Sequence, residues 1–178
     1  MIRQTLCLPL ACAAMLVSVP AARGDDAVPL DSRYIDPIHG FSLRPPTGTE
    51  RRKYTSQALL ASWLRRDAAT GAVAWTLSVL RAVEAEPPAD LAAYAKELVA
   101  RLRKNDDFDV KSSEVVSVAG RKVVDIRGVS GGEGKPWKRQ VHVQAEPACF
   151  LVVQISGPAG MRQTLDAVCQ AVLETLSL

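Results

Sequence analysis

The feature that most constrains the fold is a short segment near the C-terminus, residues 149–156, which is apolar on both sides of an extended chain. Side chains of a strand alternate between two faces. Val153 and Ile155 would share one face, and Phe150 and Val152 would share the other. A strand that is apolar on both faces belongs inside a sheet that is covered on both sides. The sequence therefore predicts an interior strand with a layer above and a layer below.

Further strands are predicted from alternation and from turn residues between apolar segments. The clearest is residues 73–83, in which large apolar residues occupy every second position. Residues 58–66 have a composition that suits a helix, but the hairpin connection at 67–71 favours a strand that pairs with 73–83. The remaining predicted strands are residues 41–44, 108–118, 122–129 and 137–145.

Two amphipathic segments predict helices. The first follows Pro87-Pro88, with Asp90 as its N-cap and apolar residues at helical spacing up to Leu102. The second follows Gly157-Pro158 and carries an apolar stripe from Met161 to Leu176. The predicted order is β-β-β-α-β-β-β-β-α. Its short connections predict an α+β fold, an antiparallel sheet of six to seven strands with two helices packed on it.

The N-terminus has the pattern of a secretory signal. Arg3 precedes an apolar run that ends at Pro20, and Ala22-Arg23-Gly24 offers small residues to a signal peptidase. A lipoprotein would have to use Cys7 or Cys12, and the sequence before Cys12 is a poor lipobox. We predict a signal peptide at 1–24, a short flexible N-terminus at 25–32 and a single domain at 33–178. The protein is expected to be exported, to the periplasm or beyond the cell, with transient membrane contact through the leader.

The charge balance argues against one class of partner. Without residues 1–24, the formal net charge falls from +3 to +1, with 20 basic and 19 acidic residues. A nearly neutral domain lacks the positive surface of a nucleic-acid-binding protein, so no nucleic acid is expected. Cys149 and Cys169 remain after processing. An oxidising compartment allows a disulfide between them, whereas the spacing between a helix and a sheet favours two buried thiols.

Three short motifs accompany this element order: Tyr34-x-Asp36, Gly40-Phe41-Ser42-Leu43-x-Pro45 and Val116-x-Val118-x-Gly120-x-x-Val123. Together with the element order, they resemble the PsbP-like superfamily, which includes PsbP, the Ran-binding Mog protein and exported DcrB-like proteins of bacteria. The resemblance covers nearly all of residues 25–178. It implies an α/β/α sandwich on an antiparallel sheet, and a non-enzymatic role as an assembly factor, adaptor or partner-binding subunit.

Candidate catalytic and ligand motifs fail on spacing. His39 and His142 have no Cys or carboxylate at metal-ligand spacing. The acidic segment 105–109 resembles a calcium loop, but Val110 and Val116 stand where glycine and a bidentate glutamate are required. The glycine tip at 131–134 leads into a strand, whereas a phosphate loop opens a helix. We therefore predict no enzyme activity, no cofactor and no metal.

One cluster suggests a binding surface. Trp137 follows the glycine tip and stands among cationic residues, as aromatic hot spots in interfaces often do. The alternative is an edge tryptophan that lies on its own sheet. The residues predicted to contact a protein partner are Lys135, Trp137, Lys138 and Arg139, with Arg51 and Arg52 if their loop lies at the same end.

These observations predict an exported, non-catalytic protein that binds a partner or serves as an assembly or adaptor factor. The second hypothesis is a small-ligand-binding periplasmic protein with a pocket between sheet and helix. An apolar concavity with a few converging polar groups would favour this second hypothesis.

Overall fold

The structure is a computed structural model, and it describes residues 27–53, 56–105, 108–130 and 135–178. Nine strands, two α-helices and a short 3-10 turn at Ala159–Met161 form its elements. The strands are β1 (Tyr34–Asp36), β2 (Phe41–Leu43), β3 (Glu50–Arg52), β4 (Leu59–Arg66), β5 (Val73–Val83), β6 (Phe108–Val118), β7 (Arg121–Ser130), β8 (Trp137–Glu146) and β9 (Cys149–Gly157). The helices are α1 (Leu91–Asn105) and α2 (Arg162–Glu174).

Seven strands form one antiparallel sheet in the order β3-β4-β5-β9-β8-β7-β6. The strand that is apolar on both faces, β9, lies between β5 and β8, as its pattern predicts. β4 pairs with β5 over most of its length, so the strand predicted at 58–66 is present as Leu59–Arg66. Asp90 caps α1, since its Oδ1 accepts a hydrogen bond from the Ala93 N–H at 2.7 Å.

Two layers cover the two faces of the sheet, which gives the predicted α/β/α sandwich. Leu151, Val153 and Ile155 of β9 pack in one core with the buried side of α2. Phe150, on the opposite side of the same strand, packs in a second core with Tyr94 and the other buried residues of α1. The two apolar faces of β9 are therefore covered by two different helices, as the sequence predicts for an α+β fold.

The prediction that residues 41–44 form the first strand of the main sheet needs a correction. Residues 41–43 are a strand, but they pair with β1 in a separate two-stranded ribbon and not with the main sheet. Phe41 and Leu43 are buried in the same core as α2, so the ribbon is part of the layer on that face. The sequence indicates turns at Asp36-Pro37 and His39-Gly40 but no strand at Tyr34–Asp36, because three residues before a proline are too few to show alternation.

The polar segment 47–56, in which the sequence predicts no strand, contains the edge strand β3 of the main sheet. β3 is only three residues long, and all three are exposed. It pairs with β4 alone and forms one edge of the sheet. A short charged edge strand is a common protection against edge-to-edge pairing, and it carries no hydrophobic pattern that sequence reasoning can detect.

Several other predictions concern the chain ends and the cysteines. Cys149 and Cys169 are both buried and free, so the two-thiol alternative is confirmed. Part of the segment predicted as a flexible N-terminus has backbone partners: Asp31 N–H donates to the Pro45 carbonyl at 2.7 Å, and Pro29 accepts from Thr47 N–H at 2.9 Å. The predicted leader and the glycine tip at 131–134 lie outside the described residues. Within the described ranges, no helix has the length and apolar character needed to cross a membrane.

Candidate functional site

The cationic cluster predicted from the sequence is divided by the fold. Arg51 and Arg52 lie on edge strand β3, whereas Trp137 and Arg139 lie on β8. The pairing register places Arg51 and Arg139 in one cross-strand row, with β4, β5 and β9 between them. Four strand spacings separate their backbones by roughly 19 Å. The six residues therefore do not form one patch.

Arg139 is internal. Its exposed fraction is 3%, and its guanidinium faces the carboxylate of Asp125, which is equally buried. Nε and one terminal nitrogen donate to the two Asp125 oxygens at 3.1 and 2.9 Å, a bidentate arrangement. The guanidinium also donates to the Asp166 carbonyl and to Gln170 Oε1, both on α2. This arginine therefore joins two neighbouring strands to the helix that covers them.

Trp137 is also internal, with an exposed fraction of 3%. Its Nε1–H donates to the Asp166 carboxylate at 3.2 Å, and the Arg162 guanidinium lies 4.3 Å from the centre of its ring. The expectation of an accessible tryptophan at the edge of a loop needs correction, because α2 covers this end of β8. The alternative, an edge tryptophan that lies on its own sheet, is right about packing within the domain but not about the place, because β8 lies between β9 and β7 and α2 covers the ring.

The two lysines of the cluster differ from these internal residues. Lys135 is exposed. Lys138 is half-buried on the opposite face of β8, with its Nζ 5.4 Å from the centre of the Phe108 ring. A partner contact through Lys135 and Lys138 remains a prediction. The signal for the internal pair was the period of two: Trp137 and Arg139 share a face with buried Val141 and Val143.

The buried ionisable groups are in states that suit packing. Burial, with the nearby positive charge of Arg101, lowers the pKa of His142 to about 3, so its imidazole is neutral at physiological pH. Its Nδ1 shares a hydrogen bond with the Tyr94 hydroxyl at 2.9 Å, while its Nε2 has no partner in the described part of the chain. Burial raises the pKa of the Cys169 thiol to about 12, which removes its thiolate.

A second region, which we call the opening turn, comprises residues 34–41: β1, the turn that links it to β2, and the first residue of β2. Asp36 organises it. Its Oδ1 accepts the backbone N–H groups of Ile38 and His39, each at 3.0 Å, and lies 3.2 Å from His39 Nδ1. Burial of Asp36 raises its pKa. The hydrogen bonds and the charge of His39, together with the hydrogen bond from the Ile38 N–H, lower the pKa by more than burial raises it. The pKa of Asp36 is therefore below its ordinary value.

Arg51, one of the residues predicted to contact a partner, supports the opening turn from the neighbouring strand. Its guanidinium stacks on the Tyr34 ring at 4.5 Å and donates to the Tyr34 hydroxyl at 3.1 Å. Tyr34 in turn contacts Phe41 and Trp63, with ring centres 5.9 and 5.3 Å away. The base of the turn is therefore fixed to the core.

The tip of the opening turn presents apolar side chains to solvent. Ile35 is 63% exposed and Ile38 is 85% exposed. Both line a cleft of about 430 Å³ beside the turn, with Leu59 and Leu60 of β4 in its wall. A second cleft of about 350 Å³ lies on the other side of Ile38, against Arg81 and the start of β9. An ordered turn thus holds Ile38 between two concavities, and Ile35 lines the first of them.

A third concavity lies between a helix and the sheet, where the small-ligand hypothesis placed its pocket. This α1–β6 groove has a volume of about 600 Å³. It is lined by Ala92, Ala95, Lys96, Val99, Ala100 and Arg103 of α1 and by Ser113 and Val115 of β6. The described residues contain no cluster of three or more His, Cys, Asp or Glu side chains with metal-binding geometry.

Comparisons with known proteins bear on the fold. No protein-family model matches the sequence, and no curated protein matches it. The structure is similar to that of cyanobacterial PsbP (CyanoP) from Synechocystis sp. PCC 6803, with a TM-score of 0.61 and 13% identity, over 90% of this chain and 98% of that chain.

Two further solved structures show the same architecture. LpqN of Mycobacterium tuberculosis, a protein involved in cell envelope biogenesis, has a TM-score of 0.56 and 13% identity, over 82% of this chain and 83% of that one. PA94 of Pseudomonas aeruginosa, a protein of unknown function, has a TM-score of 0.55 and 18% identity, over 84% of this chain and 97% of that one. This chain has a PsbP-like fold, as the sequence motifs predict.

Proposed function

We propose that the protein is an exported, non-catalytic partner-binding factor, of the assembly or adaptor kind, and that the opening turn is its contact surface. The observation that carries the proposal is the exposure of Ile35 and Ile38 on a turn fixed by Asp36. Apolar side chains presented from a rigid support, with polar groups around them, are typical of protein interfaces. The expected partner is a protein whose surface carries apolar side chains that fit into the two clefts beside the opening turn.

The hydrogen bonds that hold the turn in place support a role in binding. A flexible loop pays an entropic cost when a partner orders it, and a loop already held in place avoids most of that cost. Asp36 holds the turn through hydrogen bonds to its backbone N–H groups, and the Arg51 guanidinium stacks on Tyr34 at its base. The two isoleucines would insert into a partner with little rearrangement.

The electrostatics of the buried groups support a non-catalytic role. General acids and bases work best when their pKa lies near the pH of the medium. The pKa of His142, about 3, is far below that range, and the pKa of Cys169, about 12, is far above it. Asp125 is held between Arg127 and Arg139 and serves the packing of α2.

Export rests on the leader pattern, and the likeness in fold to LpqN, itself involved in cell envelope biogenesis, is consistent with an envelope location. We expect cleavage after Gly24, because Ala22 and Gly24 supply the small residues that signal peptidase requires. Intact mass of the protein from its native host tests this. A retained Met1 or a lipid on Cys12 would contradict it.

The contact surface is tested by photo-crosslinking in the native host. A photoreactive phenylalanine analogue at position 38 should yield a reproducible adduct with one protein. The matched control carries the same analogue at position 73, where Val73 is 49% exposed on the main sheet. Equal adducts from both positions, or none from position 38, would remove the opening turn as the contact surface.

A further inference from the structure

A second binding surface lies at the far edge of the main sheet from β3. β6 is the last strand in the sheet order and pairs with β7 on one side only. Within the described ranges, no strand pairs with its outer edge. β3, the opposite edge, is only three residues long, whereas β6 has eleven residues. A long unpaired edge offers backbone donors and acceptors to an added strand.

The usable part of this edge is the C-terminal part of β6. The pairing with β7 is irregular between Val110 and Ser112, which marks a bulge, and a bulge interrupts strand addition. From Ser112 to Val118 the register is continuous over seven residues, a span of about 23 Å. A partner segment of about seven residues would match this length.

The α1–β6 groove lies beside this edge and would receive side chains from an added strand. Three alanines on α1, at positions 92, 95 and 100, have small side chains that leave room in the groove. Val99 and Val115 supply apolar surface. Val115 is 41% exposed. In strand addition, main-chain hydrogen bonds give affinity, and pockets for alternate side chains give specificity.

The charge of the groove selects the occupant. Its lining includes two cations, Lys96 and Arg103, and no carboxylate. In the described part of the chain neither cation takes part in an ion pair. An occupant with acidic side chains would neutralise both and orient itself along the groove.

We propose that the outer edge of β6 binds an acidic, extended segment of a partner protein by strand addition, with alternate side chains in the α1–β6 groove. This surface is distinct from the opening turn, which belongs to the layer on the opposite face of the sheet. A second copy of this chain fits less well. Edge-to-edge pairing of two β6 strands around a two-fold axis would bring Lys96 and Arg103 of both copies into one groove.

The test is an NMR titration of the isotope-labelled protein with an acetylated, amidated heptapeptide of alternating glutamate and valine. We expect shifts concentrated in 112–118 and in α1, and slower hydrogen exchange of the outward-facing β6 amides. N-methylation of one alternate set of peptide amides should abolish binding, while methylation of the other set should preserve it, because only one set faces β6. Equal effects of the two methylations, or shifts elsewhere, would overturn the proposal.

Charge-reversal variants test the choice of occupant. K96E combined with R103E should weaken the peptide by about tenfold or more, a change of about 1.4 kcal/mol. K104E is the matched control, since Lys104 is the neighbouring exposed cation outside the groove lining. Unchanged affinity in the double variant would overturn the acidic specificity. Concentration-dependent shifts of β6 amides in the free protein would identify a second copy as the occupant. Either result leaves the photo-crosslinking test of the opening turn unaffected.

Discussion

Two segments of this chain look alike in sequence and differ in structure. The opening turn and residues 135–139 each combine an aromatic residue and charged residues with glycine in or beside the segment. In the second segment, Trp137 and Arg139 are buried against α2. In the first, Tyr34 is held at the base while Ile35 and Ile38 point into solvent. Local composition is therefore a poor guide to a binding surface when the covering layer comes from a distant part of the chain.

The largest expected effect concerns the buried ion pair. R139A should lower the free energy of unfolding by about 3–5 kcal/mol, because it leaves the buried Asp125 carboxylate with reduced compensation. Chemical denaturation measures this. The control is R66A, which removes an exposed ion pair with Glu50 and should cost about 1 kcal/mol or less. Equal costs for the two variants would show that the Arg139 side chain is not internal.

A smaller effect is expected from W137F. Phenylalanine keeps most of the apolar contact but loses the hydrogen bond from Nε1 to the Asp166 carboxylate, worth about 1–3 kcal/mol. The melting midpoint should fall, with unchanged partner capture. A stable variant that loses its partner would instead restore Trp137 as a contact residue and reverse the comparison.

The opening turn has a pH signature of its own. The pKa of Asp36 is below its ordinary value in the folded protein, so its contribution to stability is present above about pH 4 and is lost as pH falls through the folded pKa. D36N should cost about 1 kcal/mol at neutral pH, and the difference from the parent protein should shrink below pH 4. Melting midpoints from pH 7 to pH 2 measure this, with exposed D31N as the control. A constant difference would mean that Asp36 does not hold the turn as a carboxylate.

Much of the fold is predictable from the sequence because long elements carry periodic patterns. The interior position of β9, the hairpin of β4 with β5 and the capped helix α1 all follow from apolar spacing and turn residues. The ribbon of β1 with β2 and the edge strand β3 do not. Strands of three residues are too short for a pattern, and their positions depend on tertiary contacts such as the burial of Phe41 and Leu43.

The candidate site was less predictable for a related reason. Exposure of a side chain depends on which residues from distant elements cover it. Asp166 and Gln170 receive Arg139 and Trp137 from a helix nearly thirty residues further along the chain. By contrast, the exposure of Ile38 follows from a local turn, Asp36-Pro37 to His39-Gly40, which lifts it away from the sheet. The period of two in β8 places Trp137 and Arg139 on the face of buried Val141 and Val143 and so signals their burial, whereas the turn around Ile38 carries no periodic pattern.

The central claim, that the opening turn binds a protein partner, is tested most directly with the double variant I35S/I38S. Both side chains are exposed, so the free energy of unfolding should change by less than about 0.5 kcal/mol. The affinity for the protein cross-linked through position 38 should fall by about tenfold or more, since interface isoleucines bury apolar area. V73S controls for loss of exposed apolar surface and should bind normally. A double variant that keeps parental affinity for this partner would contradict the account.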